Sequence, residues 1–380
     1  MRLGARLSLG AVGNLRDTES VTSSSPDSAL PVVRDLPALA GPLAGWHASR
    51  PDEKDVPELT ALLARHERGA RGWGSFEDEV LVAVSQAGSR TRQNVVLRDA
   101  DGALGGWATA HDRASGRMLL TVVVDRQVDD DVADRVAETL FEWADGAARR
   151  IGSERGLHVQ QIDSGAFADD ERQHRWLQRA GFHKVRTWWQ MTRPVTRDEA
   201  GLPVGARDGV RIRRVRRQVS GMPDEDDLRT VHDILESAFA DHFNSHEETF
   251  DEFVSRLRED PGHRWDHWWV AEIVDENPSG SAVRTVPAGA LVGSVSEGTD
   301  GGPGGSYVEY IGVLESARGR GVAKSLLRTV IADAASNDRD RVGLEVDADS
   351  PSRAEALYVS MGWTTSRVTE SWHRDVRTDS

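Results

Sequence analysis

Glycines and arginines alternate where an apolar strand pattern gives way to a helix pattern. The stretch RGRGVA occupies residues 318–323 and follows the apolar run YVEYIGV at 307–313. Backbone N–H groups at the start of a helix have no intrahelical partner, and together with the helix dipole they favour a bound anion. Glycine permits the close approach that such a loop needs. The spacing matches neither a Walker loop nor G-x-G-x-x-G. The residues therefore predict either a pyrophosphate-binding loop or an ordinary glycine-rich turn with a solvated basic face.

The composition narrows the class of protein. The chain has 380 residues, a formal net charge of −15 and no cysteine. The missing cysteines exclude disulfides, thiolate nucleophiles and cysteine-bound metals, and the acidic balance argues against nucleic-acid and membrane-surface binding. The basic run RIRRVRRQ at 211–218 is interpreted as a solvated strand face. No apolar run approaches the roughly 18–20 residues of a membrane span, so we expect a cytoplasmic protein.

Two composition breaks and a repeat organise the chain. Residues 1–35, rich in Ser and Pro, predict a disordered leader, and residues 194–209, rich in Pro and Gly, predict a linker. The remaining parts, 36–193 and 210–380, show the same order of predicted strands and helices. Their ends also match, since LQRAGFHKVR in the first part parallels YVSMGWTTSR in the second. The chain is therefore interpreted as a duplicated α/β domain.

The second part resembles the GNAT family of acetyl-CoA-dependent N-acetyltransferases. Residues 318–323 fit the family signature Q/R-x-x-G-x-G/A, and residues 307–313 fit its fourth strand. The stretch LEVDADSPSRAEALYVSMGW resembles its second motif, in which a helix ends in L-Y-x-x-x-G-F. The resemblance implies two tandem GNAT-like domains, each a mixed, mostly antiparallel sheet flanked by helices. The tandem arrangement is similar to the actinobacterial type that includes mycothiol synthases.

The same resemblance implies roles for individual residues. Tyr358 would protonate the departing thiolate. The usual general base of the family falls at Tyr307, so Glu309, two residues on along the strand, is the candidate base, with Glu297 as the fallback. The backbone of Ile311 and Val313 would pair with the pantetheine arm, and the loop would hold the pyrophosphate. The implied acetyl-CoA-binding residues are Ile311, Gly312, Val313, Arg318, Gly319, Arg320, Gly321, Val322, Ala323 and Ser350, where Ser350 stands in place of an asparagine found in many members.

The first part lacks this set of residues. At the corresponding loop, Asp129 and Asp131 replace the two arginines and Val132 replaces the second glycine, while Leu177 replaces Tyr358. Three consecutive aspartates would repel a pyrophosphate. We therefore expect that the first repeat does not bind CoA in the usual way, and that it supports the second repeat or shapes the acceptor pocket.

The sequence thus predicts direct transfer of an acetyl group from acetyl-CoA to a primary amine in a ternary complex, with no metal. Acidic segments around the cleft favour a cationic small-molecule acceptor, with protein N-termini and lysines as the alternative acceptors. The chain is expected to act as a monomer or homodimer. Two alternatives stay open. One is an acyl-CoA sensor without catalysis. The other is a metal hydrolase that uses His242 and His246, which stand four residues apart as helical metal ligands can.

Overall fold

In a computed structural model, the chain forms two compact units. The N-unit contains the described residues up to Arg186 and those from Thr369 onward, and the C-unit contains Thr187–Val368. Because the predicted leader and residues 202–208 of the predicted linker lie outside the described residues, the boundaries at 193 and 209 stay predictions. The structure describes residues 39–67, 76–85, 91–113, 116–201, 209–219, 221–240, 249–251, 253–254, 263–275, 284–296, 303–350 and 354–378.

The N-unit is a sheet with helices packed on it. The sheet order is β1-β2-β3-β4-β5, followed by part of the last strand of the chain, β12 (Thr364–Arg377). Among the strands described in this unit, only β4 and β5 are parallel neighbours. The long helix α3 buries Val136, Leu140 and Trp143 in the core. The elements are β1 (His47–Ser49), α1 (Val56–His66), α2 (Phe76–Val84), β2 (Arg92–Arg98), β3 (Leu104–Arg113), β4 (Arg117–Val124), α3 (Asp130–Glu154), β5 (Val159–Phe167) and α4 (Glu171–Arg179).

The C-unit repeats this architecture. Its sheet order is β6-β11-β10-β9-β8-β7, and only β10 and β11 are parallel neighbours. No helix within the described ranges has the length and apolar character that crossing a membrane requires. The elements are β6 (His183–Pro194), β7 (Val210–Arg214), α5 (Glu225–Phe239), β8 (His263–Asp275), β9 (Arg284–Ser296), β10 (Gly305–Val313), α6 (Val322–Ser336), β11 (Arg341–Asp347) and α7 (Ala354–Ser360).

The last helix of each repeat ends in the same hydrogen-bonded turn. At the end of α7, Gly362 has a φ of +93° and the N–H of Trp363 donates to the carbonyl of Tyr358 at 3.1 Å. This is the geometry of a Schellman motif, which favours glycine. The end of α4 has the same bond pattern around Gly181, and there Leu177 occupies the position of Tyr358. The matching sequence ends of the repeats thus have matching structures.

The final strand of each repeat belongs to the unit formed mainly by the other repeat. In the C-unit, β6 pairs antiparallel with all seven residues of β11, and Arg193 Nε donates to the carbonyl of Met361 at 2.7 Å. In the N-unit, β12 pairs with β5 and Arg374 donates to the carbonyl of Ala180. The C-unit sheet therefore includes a strand that precedes the predicted linker.

Candidate active site

A cavity of about 280 Å³ lies in the C-unit where β10 and β11 diverge. The parallel pairing of these strands runs as far as Val308 and Leu344. Beyond this point β10 continues to Val313 and β11 to Asp347, and both continuations line the cavity. Ile311, whose backbone was predicted to pair with the pantetheine arm, is among these lining residues. An extended ligand can add to a strand edge of this kind through backbone hydrogen bonds.

Glu309 lies at an irregularity of β10. The register with β9 shifts between Val308 and Tyr310, so Glu309 is the extra residue of a β-bulge. In a regular strand, residues two apart such as Tyr307 and Glu309 share a face. The bulge interrupts this alternation, yet both residues line the cavity. Glu309 is buried, and its Oε1 accepts a hydrogen bond from Ser294 Oγ at 2.5 Å. The bulge thus places a buried carboxylate in the wall of the cavity.

Tyr358 on α7 lines the same cavity and is only 7% exposed. Its ring meets that of Trp363 edge-on, with centroids 6.1 Å apart. Burial raises the pKa of Tyr358 to about 12. With the residues that the structure describes, its hydroxyl forms no hydrogen bond. The phenol therefore keeps its proton at neutral pH and can donate it to a ligand in the cavity.

The loop before α6 has the backbone conformation that the sequence predicted from its glycines. Gly319 has a φ of +75° and Gly321 a φ of +80°, a region that other residues rarely adopt. Gly321 is the N-cap of α6, and the first turn of this helix contains no acidic residue. Arg318 and Arg320 are exposed beside it. Backbone N–H groups, the helix dipole and two cations together suit an anionic ligand.

The remaining predicted binding residues surround or support the cavity. Gly312 and Ala323 line it, and Ser350 lines it from the turn after β11, where its N–H donates to the carbonyl of Asp347 at 3.3 Å. Val322 is buried in the core at the start of α6. All ten predicted acetyl-CoA-binding residues are therefore in the loop, in the cavity wall or directly beside them.

Three candidates fall outside the part of the chain that the structure describes, namely Glu297, His242 and His246. The fallback base and the metal alternative therefore stay predictions. Among the described residues, no group of three or more His, Asp or Glu side chains is arranged to hold a metal ion.

The sequence reasoning missed several residues of the cavity wall. Among them, Glu345 and Asp347 line the cavity from β11, and Trp188 lines it from β6. Glu345 and Asp347 lie within the GNAT-like motif, so their acidic side chains could have been recognised there as candidate site residues. Trp188 belongs to the first repeat, so nothing local in the sequence connects it with this cavity.

The corresponding place in the N-unit differs. The parallel pairing of β4 and β5 also stops part-way, at Leu120. However, Gln173 Oε1 accepts a hydrogen bond from the N–H of Phe167 at 2.9 Å, and Leu177 packs in the core. The helix that follows β4 begins at the N-cap Asp129 and has two further aspartates in its first turn. This helix start is acidic where the helix start of the C-unit is basic.

Comparison with known proteins agrees with this geometry. The sequence model of the acetyltransferase (GNAT) family matches residues 231–363, which include the loop, Tyr358 and every residue of the cavity wall except Trp188. No curated protein matches the chain. Residues 231–363 therefore match a GNAT acetyltransferase domain, and the enzyme class predicted from the motifs, an acyl-CoA N-acyltransferase, is confirmed.

Solved structures share the fold across both units. A GCN5-related N-acetyltransferase from Sphaerobacter thermophilus has a TM-score of 0.63 at 21% identity and covers 90% of this chain and 97% of its own. A tandem GNAT protein from the clavulanic acid biosynthesis pathway has a TM-score of 0.58 at 12% identity, with coverages of 87% and 98%. N-myristoyltransferase from Saccharomyces cerevisiae, with bound myristoyl-CoA, has a TM-score of 0.52 at 12% identity, with coverages of 93% and 84%. The predicted tandem GNAT fold is confirmed, whereas a specific likeness to mycothiol synthases stays a prediction.

Proposed function

We propose that the chain transfers an acetyl group from acetyl-CoA to the primary amine of a cationic small molecule, directly and without a metal. The observation that carries this proposal is a single cavity between diverging strands, lined by a buried carboxylate, Glu309, and a buried phenol, Tyr358. The chain has no cysteine, so no acetyl-cysteine intermediate can form. Direct attack in a ternary complex is consistent with that composition.

The cosubstrate is proposed to bind along β10 and the start of α6. The N–H groups of residues 318–323 would hold the pyrophosphate, at about 1.5–3 kcal/mol for each hydrogen bond to a charged oxygen. Ile311 and Val313 would pair with the pantetheine arm as an added strand does. Ser350 would contact the arm from the turn after β11. These positions bring the thioester toward Tyr358.

The proposed chemistry uses the two buried groups in different ways. The ammonium group of the acceptor loses a proton to Glu309, directly or through a water, and the resulting neutral amine attacks the thioester carbon. A C–N bond forms, the C–S bond breaks, and the electron pair leaves on sulfur. Tyr358 donates its proton to that sulfur. Because the pKa of Tyr358 is about 12 and that of a thiol is about 8.5, Tyr358 takes up a proton again, namely the second proton that the nitrogen loses as the amide forms.

The charge of the cavity favours a cationic acceptor. Three carboxylates, those of Glu309, Glu345 and Asp347, belong to the wall. The wall residues within the described ranges include no lysine or arginine. A cleft with charges of one sign attracts a ligand of the opposite sign and orients it.

An amine panel tests the proposal. The purified chain is incubated with acetyl-CoA and each of several primary amines, and the free thiol of CoA is measured over time. We expect thiol release that depends on the amine and exceeds the release with acetyl-CoA alone. Tight binding of acetyl-CoA without amine-dependent release would instead support the sensor alternative.

A further inference from the structure

We infer that Ser294 on β9 is a positioning residue for Glu309 and holds its carboxylate where the acceptor amine reacts. The inference rests on the proposed function, because it concerns the proposed base of that same reaction. Ser294 lies outside the GNAT-like motifs, and the cavity wall formed by the described residues does not include it. Its role in the reaction is therefore exerted through Glu309.

The backbone around Glu309 is closely packed. Val308, just before the bulge, stands opposite Gly293 of β9. A Cβ atom at Gly293 would lie 3.2 Å from the carbonyl oxygen of His267 on β8 and 3.4 Å from that of Tyr307 on β10. Both distances are tight for a Cβ atom, so the three strands meet closely here and glycine permits the approach. The freedom that remains at residue 309 is mainly that of the side chain.

The hydroxyl of Ser294 restricts this side chain. Glutamate has a long, flexible side chain, and ordering it costs conformational entropy. Ser294 Oγ donates to Glu309 Oε1 at 2.5 Å, and the two residues are 4% and 7% exposed. A serine hydroxyl directs a carboxylate without adding a charge of its own. The hydrogen bond thus orients the carboxylate before the acceptor binds.

Orientation of the base matters because proton transfer requires close contact. A general base must lie within about 2.6–3.2 Å of the atom that gives up the proton, or reach it through one water. A displacement of about 1 Å can cost on the order of 100-fold in rate. Without the hydroxyl of Ser294, Glu309 keeps its carboxylate but is held less firmly. We therefore expect a partial loss of base catalysis.

A double-mutant cycle in the full-length chain tests the inference. Ser294→Ala, Glu309→Gln and the variant with both changes are compared at pH 7, with acetyl-CoA and the panel amine that gives the fastest thiol release. We expect Ser294→Ala to lower kcat/KM for the amine by about tenfold in the unmodified chain, but by less than about twofold in the Glu309→Gln chain. In the latter chain the hydroxyl has no base to orient.

The pH profile of the same variants gives a second signature. The pKa of the acceptor amine is near that of a lysine side chain, about 10.4, so the amine needs less help from a base as pH rises toward 10. The defect of Ser294→Ala should then shrink to within about twofold, in parallel with that of Glu309→Gln. General damage to the sheet would lower activity at every pH.

Matched substitutions separate the hydroxyl from the shape of the side chain. Ser294→Thr and Ser294→Val have nearly the same shape, but only the first has a hydroxyl. We expect kcat/KM to stay within about threefold in Ser294→Thr and to fall by about tenfold in Ser294→Val. This pair decides the question even if Ser294→Ala does not fold.

A buried serine elsewhere in the same sheet is the control. Ser306 is 1% exposed, lies outside the cavity wall, and its Oγ accepts a hydrogen bond from Arg339 at 3.3 Å. Ser306→Ala should leave kcat/KM unchanged. Calorimetry should give an unchanged acetyl-CoA affinity in the Ser294 variants, which shows that the cosubstrate site is intact.

The outcomes distinguish the inference from the proposed function. Equal losses from Ser294→Ala with and without Glu309→Gln, or equal activities of Ser294→Thr and Ser294→Val, overturn the positioning role and leave amine acetylation standing. Unchanged activity and pH profile in Glu309→Gln overturn the role as well, because the base then lies elsewhere. Absence of turnover with every amine overturns the proposed function and this inference together.

Discussion

Glu309 and Tyr358 lie in the same cavity but in different surroundings. Glu309 is buried, and its Oε1 accepts a hydrogen bond from Ser294 Oγ. Tyr358 lies in an apolar setting, which raises its pKa to about 12 and favours its neutral form. At neutral pH the cavity therefore holds a hydrogen-bond acceptor and a hydrogen-bond donor. Because Tyr358 would lose its proton only near pH 12, we expect no loss of activity from its ionisation below about pH 11.

Replacing Tyr358 with Phe removes only the hydroxyl. We expect turnover to fall by ~10²-fold or more, since a general acid contributes about 10²–10⁴, while acetyl-CoA affinity stays nearly constant. Steady-state kinetics and calorimetry measure the two effects. Tyr310→Phe, which removes a hydroxyl from another residue of the cavity wall, is the matched control. Near-normal turnover in Tyr358→Phe would return Tyr358 to a packing role.

Replacing Glu309 with Gln tests the proposed base. We expect activity to be lost at low pH and to recover as pH rises, because the amine then deprotonates without help. The pKa of the acceptor amine is near that of a lysine side chain, about 10.4. The pH profile of kcat/KM measures this change. A profile identical to that of the unmodified chain would assign the base to Glu297 or to bulk water.

At the scale of the element, the loop before α6 tests whether backbone geometry carries cosubstrate binding. Gly321→Val places a branched side chain at a φ of +80° and disturbs the N–H groups of the loop. Loss of several charge-assisted bonds costs on the order of 3–5 kcal/mol, so we expect acetyl-CoA affinity to fall by at least ~100-fold. Calorimetry measures the loss.

The matched control for Gly321→Val is Gly221→Val. Gly221 has a φ of +86° and open space around the position of a Cβ atom, and it lies outside the loop and the cavity wall. It should suffer similar backbone strain and still bind acetyl-CoA. If Gly321→Val bound acetyl-CoA as tightly as Gly221→Val and the unmodified chain, the loop would be only a turn.

The arginines in and just after β7 form ion pairs with a neighbouring helix that the sequence interpretation did not include. The sequence suggested a solvated strand face. In the structure, Arg213 makes two hydrogen bonds to the buried Asp227, at 2.7 and 2.9 Å, and Arg216 also donates to it. The solvated interpretation is therefore wrong for Arg213, whose side chain is 22% exposed, whereas the Arg216 side chain, which is 61% exposed, is solvated as well as ion-paired. Burial would raise the pKa of Asp227, but the hydrogen bonds from Arg213 and Arg216 outweigh it and hold this pKa well below its usual range.

Asp227→Asn should destabilise the C-unit by about 3 kcal/mol at pH 7, since it breaks a buried ion pair. A lowered native pKa stabilises the fold above the unfolded pKa of about 3.9 and ceases to do so as pH falls toward the native value. The difference in unfolding free energy should therefore shrink as pH falls below about 4. Urea unfolding across pH measures it, with the exposed neighbour Asp226→Asn as control. A difference independent of pH would contradict the ion-pair assignment.

At the scale of the whole molecule, we expect one CoA site per chain. The C-unit has the glycine loop and Tyr358, whereas the N-unit has an acidic helix start and Leu177. Calorimetric titration with acetyl-CoA should give a stoichiometry near one. Gly321→Val should abolish this binding, and Asp131→Gly should leave it unchanged. Two equivalent sites, or loss of binding only on changing Asp129 or Asp131, would contradict the prediction.

The sequence by itself determined the local features. The loop conformation followed from Gly319 and Gly321, and the equivalent helix ends followed from Gly181 and Gly362. Strand and helix order followed from apolar periodicity, and the family followed from motifs within one repeat. Each of these features depends on residues close together in the chain. Backbone steric limits and the spacing of apolar residues act directly at that range.

Only the tertiary structure decided which distant segments meet. It assigned β6 to the sheet of the C-unit, which brought Trp188 to the cavity and Gln190 to Glu345. It also placed a bulge at Glu309 and paired the arginines of β7 with buried acids. An alternating apolar strand fits several sheet edges equally well, because its pattern specifies a face and not a partner. The partner is decided by packing of the complete chain, which no local pattern contains.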